Sequence, residues 1–108
     1  ASATNLYNYL KKVNTPIYGV WGMQKNKMPA NFLKKFNGLF KKIITVKIPN
    51  EKNALSNLEL KKIALKEGYN VETAKNIRES IKMISSKEHK TIVLFGSLYF
   101  IGSALKIN

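Results

Sequence analysis

The sequence lacks several residue types and motifs that define common functional classes. It contains no cysteine, which excludes a disulfide framework, a zinc–thiolate site and a cysteine nucleophile. It contains neither G-x-x-x-x-G-K-[ST] nor G-x-G-x-x-G, so a self-contained nucleotide site is not predicted. No apolar run approaches the roughly 18 residues of a membrane-spanning helix, and the first residues lack the order of a signal peptide. We therefore expect a cytoplasmic protein without a membrane partner.

Side chains suited to acid–base or metal chemistry are also scarce. The single histidine, His89, lies in a polar turn and is expected to be exposed. Glu72 and Glu79 have no evident carboxylate or histidine partner in the sequence. The sequence therefore predicts neither a catalytic residue nor a metal site within its 108 residues.

Positive charge dominates the composition, with a formal net charge of +13. Of the 19 basic residues only Arg78 is an arginine, and lysines occur in every segment. Because base readout usually depends on arginine forks, we do not expect specific nucleic-acid binding. Two interpretations stay open, namely lysines solvated over the whole surface or a domain that binds anionic small molecules.

Strand and helix patterns alternate along the chain. Apolar, β-branched runs predict strands at 17–21, 42–48, 69–71 and 91–95. Apolar residues at helical spacing predict helices at Leu6 to Val13, Ala74 to Ile84 and Leu98 to Leu105. End signals predict two more helices, one that begins near Pro29 and one that lies between the capping box of Ser56 with Glu59 and Gly68.

This alternation predicts the fold class. Strands that alternate with helices and are apolar throughout are typical of a parallel sheet covered on both faces. We predict an α/β fold, a Rossmann-like three-layer domain with a mainly parallel sheet of about four strands flanked by helices. A single domain is expected to span 1–108.

Two strand-to-helix loops carry residues suited to an anion. The first contains Gly22 and Lys27, and the second contains Gly96 and Ser97, with Tyr99 on the following helix. If the strands are parallel, both loops lie at the carboxyl edge of the sheet, where such folds bind ligands. Each loop also has a purely structural interpretation, as a glycine turn followed by a helix cap. From the residues alone, the sequence indicates a small α/β domain with a possible anion-binding edge.

The same stretches resemble a known family. "GSLYFIGSALK" resembles the end of the C-terminal domain of folylpolyglutamate synthase/dihydrofolate synthase, a branch of the Mur ligase superfamily. "GMQKNK" is similar to the Gly-Met-x-x-Asp-Lys-Asp loop of that family, with Gly22, Met23 and Lys27 matching. The start of the chain resembles the helix that follows the family's Asp-Gly-Ala-His-Asn-Pro motif. The match is collinear over nearly the whole chain.

The resemblance implies an ATP-dependent carboxylate–amine ligase that adds L-glutamate to folate through an acyl phosphate. In this family ATP and Mg²⁺ are held mainly by an N-terminal P-loop domain that this sequence does not contain, so the chain alone is expected to be inactive. The resemblance also implies substrate or nucleotide binding by Gly22, Lys27, Gly96, Ser97 and Tyr99. Two alternatives stay open, a non-enzymatic basic module for nucleic acid or an acidic partner, and a domain for another small ligand.

The sequence departs from the family pattern at two places. Asn26 and Met28 stand where the family usually has aspartates, which raises the local positive charge. The family's strand before the first helix is also missing, and removal of a strand from inside a sheet exposes backbone hydrogen-bonding groups. We therefore expect either self-association through an exposed sheet edge or closure of the gap by a rearranged strand.

Overall fold

The computed structural model describes residues 3–85 and 88–96. Four helices and four strands alternate along this part of the chain, which confirms the predicted α/β class. Their bounds are α1 Ala3–Leu10, β1 Ile17–Gly22, α2 Pro29–Lys34, β2 Lys42–Thr45, α3 Asn57–Lys66, β3 Val71–Thr73, α4 Ile77–Ile84 and β4 Thr91–Gly96. A single 3₁₀ turn, Lys25–Lys27, lies between β1 and α2.

The four strands form one parallel sheet in the order β3-β2-β1-β4. Strand β1 lies inside it and pairs with β4 over six positions, from Ile17 with Thr91 to Gly22 with Gly96. Because α1 and α2 pack on the same face of the sheet, a parallel strand that led into α1 by a right-handed crossover would lie on the β4 side of β1. In the described sheet β4 itself pairs with β1 on that side. The sheet edges are β3 and β4, and self-association through one of them stays a prediction.

The sheet is covered on both faces, so the domain has three layers. Side chains alternate along β1, because Ile17 and Trp21 belong to one core whereas Val20 belongs to the other. The first core receives side chains from α1, α2 and α3, and the second receives them from α4. Double-sided burial explains why the strands read as continuous apolar runs.

Helix ends follow the signals in the sequence. The side chain of Ser56 accepts a hydrogen bond from the Glu59 backbone N–H at 3.1 Å, and the Glu59 carboxylate accepts one from the Ser56 N–H. This capping box begins α3 as predicted, and Gly68 follows its end with a φ of +90°. Pro29 occupies the first turn of α2, where the missing N–H of proline has no cost.

Four predicted boundaries were wrong. The first helix ends at Leu10 and does not extend to Val13. The third strand is shifted from 69–71 to Val71–Thr73, because the side chain of Tyr69 packs in the core and its N–H donates to the Ala64 carbonyl of α3 at 3.2 Å instead of to a neighbouring strand. Strand β2 ends at Thr45 instead of residue 48, and α4 begins at Ile77 because Asn76 caps it. The helix predicted from Leu98 to Leu105 lies outside the described residues.

Candidate functional site at the carboxyl edge of the sheet

The two glycines that end β1 and β4 are direct neighbours. Gly22 and Gly96 are paired in the parallel register, so both predicted loops begin at the same edge of the sheet. The carboxyl edge of a parallel sheet is the usual place for ligands in such folds. The backbone therefore brings the starts of the two loops together, as expected.

Gly96 has a packing role that the sequence did not reveal. Its φ is +129°, a conformation that side chains rarely adopt. A methyl group built on Gly96 would overlap the backbone carbonyl oxygen of Gly22. Glycine at position 96 thus allows β4 to approach β1 closely, whether or not a ligand binds there.

The loop after β1 is fixed by a neighbouring segment. The Lys25 N–H donates to the Asn53 carbonyl at 2.9 Å, and the Leu55 N–H donates to the Met23 carbonyl at 3.0 Å. An antiparallel bridge joins Gln24 to Ala54 between these two bonds. The backbone that carries Lys27 is therefore held against the segment that leads into α3.

The two lysines of this loop have different surroundings. Lys25 lies near Glu59, and its charge helps to lower the pKa of that carboxyl. The main cause of the lowered pKa is hydrogen bonding from the Ser56 backbone and hydroxyl. Lys27 instead borders an open groove along α2, so it is the better placed of the two to meet an external anion.

This feature, called here the α2 groove, is a basic depression of about 500 Å³ beside α2. Its lining residues are Lys27, Met28, Asn31, Phe32, Lys34 and Lys35. None of them is acidic, and within residues 3–85 and 88–96 the three lysines form no ion pair, since the ion pair found there joins Lys42 to Glu72. The groove therefore combines positive charge with an apolar floor.

Sequence reasoning identified Lys27 but missed Asn31, Lys34 and Lys35. Asn31, Lys34 and Lys35 are three and four positions apart, a spacing that brings side chains onto one face of a helix. That periodicity was the available signal. It was hidden because lysine pairs recur throughout the chain.

Met28 adopts an unusual backbone conformation at the start of α2. Its φ is 53° and its ψ is 63°, in the left-handed region, where asparagine and aspartate are several-fold more common than other non-glycine residues. Its side chain makes no cap and is 64% exposed. The aspartate that the family pattern has at this position would suit this backbone better than methionine does.

Ser97 and Tyr99, the other predicted site residues, lie outside the described residues. Among the residues that are described, no three His, Cys, Asp or Glu side chains group together in a way that would hold a metal ion. Within the same part of the chain, no helix has the length and apolar character needed to cross a membrane.

The indole N–H of Trp21 is buried, and it has no hydrogen-bond partner within residues 3–85 and 88–96.

Comparison with known proteins gave matches among solved structures. A Mycobacterium tuberculosis folylpolyglutamate synthase complexed with ADP superposes with a TM-score of 0.86 over 97% of this chain, at 21% identity. This chain resembles folylpolyglutamate synthase. The same enzyme from Thermotoga maritima matches with a TM-score of 0.76 and 27% identity, and E. coli FolC in complex with ADP matches with 0.81 and 16%, each over 97% of this chain.

The likeness covers only part of each matched protein. This chain spans 24% to 27% of the length of these folylpolyglutamate synthase and FolC chains. No protein-family model and no curated protein matches the sequence. The resemblance to the C-terminal domain of folylpolyglutamate synthase that the sequence suggested is confirmed in the fold.

Proposed function

We propose that this chain is the C-terminal, glutamate-positioning domain of an ATP-dependent folylpolyglutamate synthase. The complete enzyme would transfer phosphate from ATP to a folate carboxylate, and the amine of L-glutamate would attack the resulting acyl phosphate. An amide would form and phosphate would leave. This would place the protein in cytoplasmic folate and one-carbon metabolism, with residues 1–108 as a Mur ligase-type C-terminal domain.

The observation that carries this proposal is the superposition of 97% of the chain on a folylpolyglutamate synthase, at a TM-score of 0.86. Support also comes from two loops that carry the family's motifs. They were identified in the sequence without use of the fold, and the fold agrees with them. Gly22 and Gly96, one from each loop, are paired at the edge of the sheet. No comparable observation favours a nucleic-acid module, since base readout usually depends on arginine forks and the sequence has a single arginine, Arg78.

In this proposal the edge forms one wall of the glutamate site. Lys27 would meet a carboxylate of the substrate, and the Ser97 hydroxyl would donate a hydrogen bond to it. Tyr99 would shape the wall, while Gly22 and Gly96 would let the backbone approach. Closure of this domain on the rest of the enzyme would orient the attacking amine and exclude water from the acyl phosphate.

Within residues 3–85 and 88–96 no three His, Cys, Asp or Glu side chains lie together, so the described residues offer no site that would hold Mg²⁺ by protein ligands alone. The sequence also lacks a P-loop motif. ATP and Mg²⁺ would therefore be held mainly by an N-terminal P-loop domain, and the isolated chain would be inactive.

A reconstitution experiment tests the proposal. The P-loop domain of the Thermotoga maritima enzyme is fused to this chain, and glutamylated folate is measured by mass spectrometry. We expect product only when ATP, L-glutamate and folate are all supplied. The control is the same P-loop domain with its own C-terminal domain. A fusion protein that melts cooperatively but forms no product, beside an active control, would contradict the proposal.

A further inference from the structure

We propose that the α2 groove binds the extended γ-linked polyglutamate tail of the folate substrate. The identity of this ligand rests on the proposed function, because a ligase that adds glutamate repeatedly must hold a lengthening chain of carboxylates. The occupant is thus a flexible polycarboxylate, and its site begins at Lys27, beside the edge where glutamate would be joined, and continues along α2.

Charge is the first argument for this occupant. Lys27, Lys34 and Lys35 contribute three ammonium groups to the groove lining, and no carboxylate contributes to it. All three lysines are exposed. Because exposed ammonium groups retain most of their hydration, they suit an anion with several spaced charges that binds without full desolvation.

The course of the groove is the second argument. It begins at Lys27, in the 3₁₀ turn that follows β1, and extends to Lys34 and Lys35 at the end of α2. A helix of six residues is about 9 Å long. The groove therefore leads away from the candidate site, in the way that a tail would extend from its reacting end.

The lining chemistry is the third argument. Asn31 offers an amide donor to a carboxylate or a peptide carbonyl, while Met28 and Phe32 offer apolar contact to the methylene groups of a glutamyl chain. The volume of about 500 Å³ lies within the roughly 300–1,000 Å³ of small-molecule sites. A nucleic acid would instead be expected to use arginine, and Arg78 belongs to α4 on the opposite face of the sheet.

Binding of a fluorescein-labelled γ-linked pentaglutamate to the complete 108-residue chain, followed by anisotropy, tests this inference. The double variant K34Q/K35Q removes two charges from the groove. The matched double variant K75Q/K82Q removes two charges at exposed positions before and within α4. We expect K34Q/K35Q to weaken binding by about tenfold and K75Q/K82Q by less than about twofold, because exposed charges act mainly at short range.

Three results would overturn the inference. They are equal weakening by both double variants, no binding of the pentaglutamate by the unaltered chain, and tighter groove-dependent binding of a single-stranded 20-mer DNA than of the pentaglutamate. The variant K27Q, in the loop, provides a second test if K34Q/K35Q fails to fold, and it is expected to weaken binding by about threefold.

This binding assay needs no catalysis, so its outcome can be separated from that of the proposed function. An inactive fusion protein with groove-selective pentaglutamate binding would contradict the ligase assignment alone. An active fusion protein without such binding would contradict the α2 groove assignment alone.

Discussion

On one face of the sheet the core contains five buried aromatic rings, whereas the buried side chains of the core on the other face are aliphatic. The rings belong to Trp21, Phe36, Phe40, Tyr69 and Phe95, and the partly buried rings of Tyr7 and Phe32 pack against this core. The aliphatic core consists of Val20, Ile44, Val46, Ile48, Ala74, Ile77 and Ile84. The loop after β1 and the α2 groove both lie on the aromatic side. The two faces therefore differ in composition, and these two features belong to the aromatic face.

Phe95 shows what this difference means physically. Its ring lies 4.6 Å from that of Phe40, 5.2 Å from that of Phe36 and 6.2 Å from that of Trp21, measured between centroids. Aromatic pairs at such distances contribute about 0.5–1.5 kcal/mol each beyond area burial. One side chain thus connects β4 to β1 and to the segment between α2 and β2, next to the edge where the site is proposed.

The largest expected effect comes from breaking the aromatic face at its centre. Phe95→Ala should lower the free energy of unfolding by about 3–5 kcal/mol, because it leaves a cavity among the rings. Ile44→Val, in the fully buried part of the aliphatic face, should cost only about 0.5–1.5 kcal/mol. Urea unfolding followed by circular dichroism measures both, and similar losses for the two variants would remove the distinction between the faces.

A smaller effect is expected from adding volume under the same ring. A methyl group at Gly19 would lie 2.6 Å from Cε1 of Phe95 and 3.0 Å from Cδ1 of Phe40. Gly19→Ala should therefore destabilise the domain by about 1–3 kcal/mol through overpacking. Gly38→Ala is a useful contrast in thermal melts, because its cost would come from a φ of +75° with no atom within 4 Å. A neutral Gly19→Ala would show that the rings move aside freely.

The smallest effect has the opposite sign and lies in the loop. Met28→Asn should stabilise the domain by about 0.5–1 kcal/mol, because asparagine tolerates the left-handed conformation better than methionine does. The melting temperature should rise by a few degrees. The same substitution at Met83, which lies within α4 and is 41% exposed, is expected to lower it. A fall in both variants would mean that Met28 is not strained.

The sequence predicted the sheet well because its signals are local. The β-branched runs ending at Gly22 and Gly96 identify β1 and β4, and the Ser56–Glu59 capping box marks α3. Strand β3 was misplaced because a strand of three residues shows little periodicity. Tyr69 was also assigned to this strand, whereas it packs in the aromatic core and its hydroxyl accepts a hydrogen bond from the Gly38 N–H at 2.9 Å.

The candidate site was harder to predict because it depends on which lysines come together. Lys25 and Lys27 are equivalent in sequence, yet one lies near Glu59 and the other borders the α2 groove. The close approach of Gly96 to Gly22 is likewise a property of two strands far apart in the chain. Convergence of this kind is set by tertiary packing, which no local pattern encodes.

The most direct measurement of the central claim is the KM for L-glutamate of the fusion protein with Ser97→Ala, compared with Ser103→Ala. Both serines follow a glycine in the last segment of the sequence, so the two substitutions are chemically matched. We predict that Ser97→Ala raises the glutamate KM by about tenfold or more, in line with loss of a hydrogen bond to a charged group, and that Ser103→Ala leaves it within about twofold. Equal KM values for both variants and the unaltered fusion protein would contradict the placement of the glutamate site at this edge.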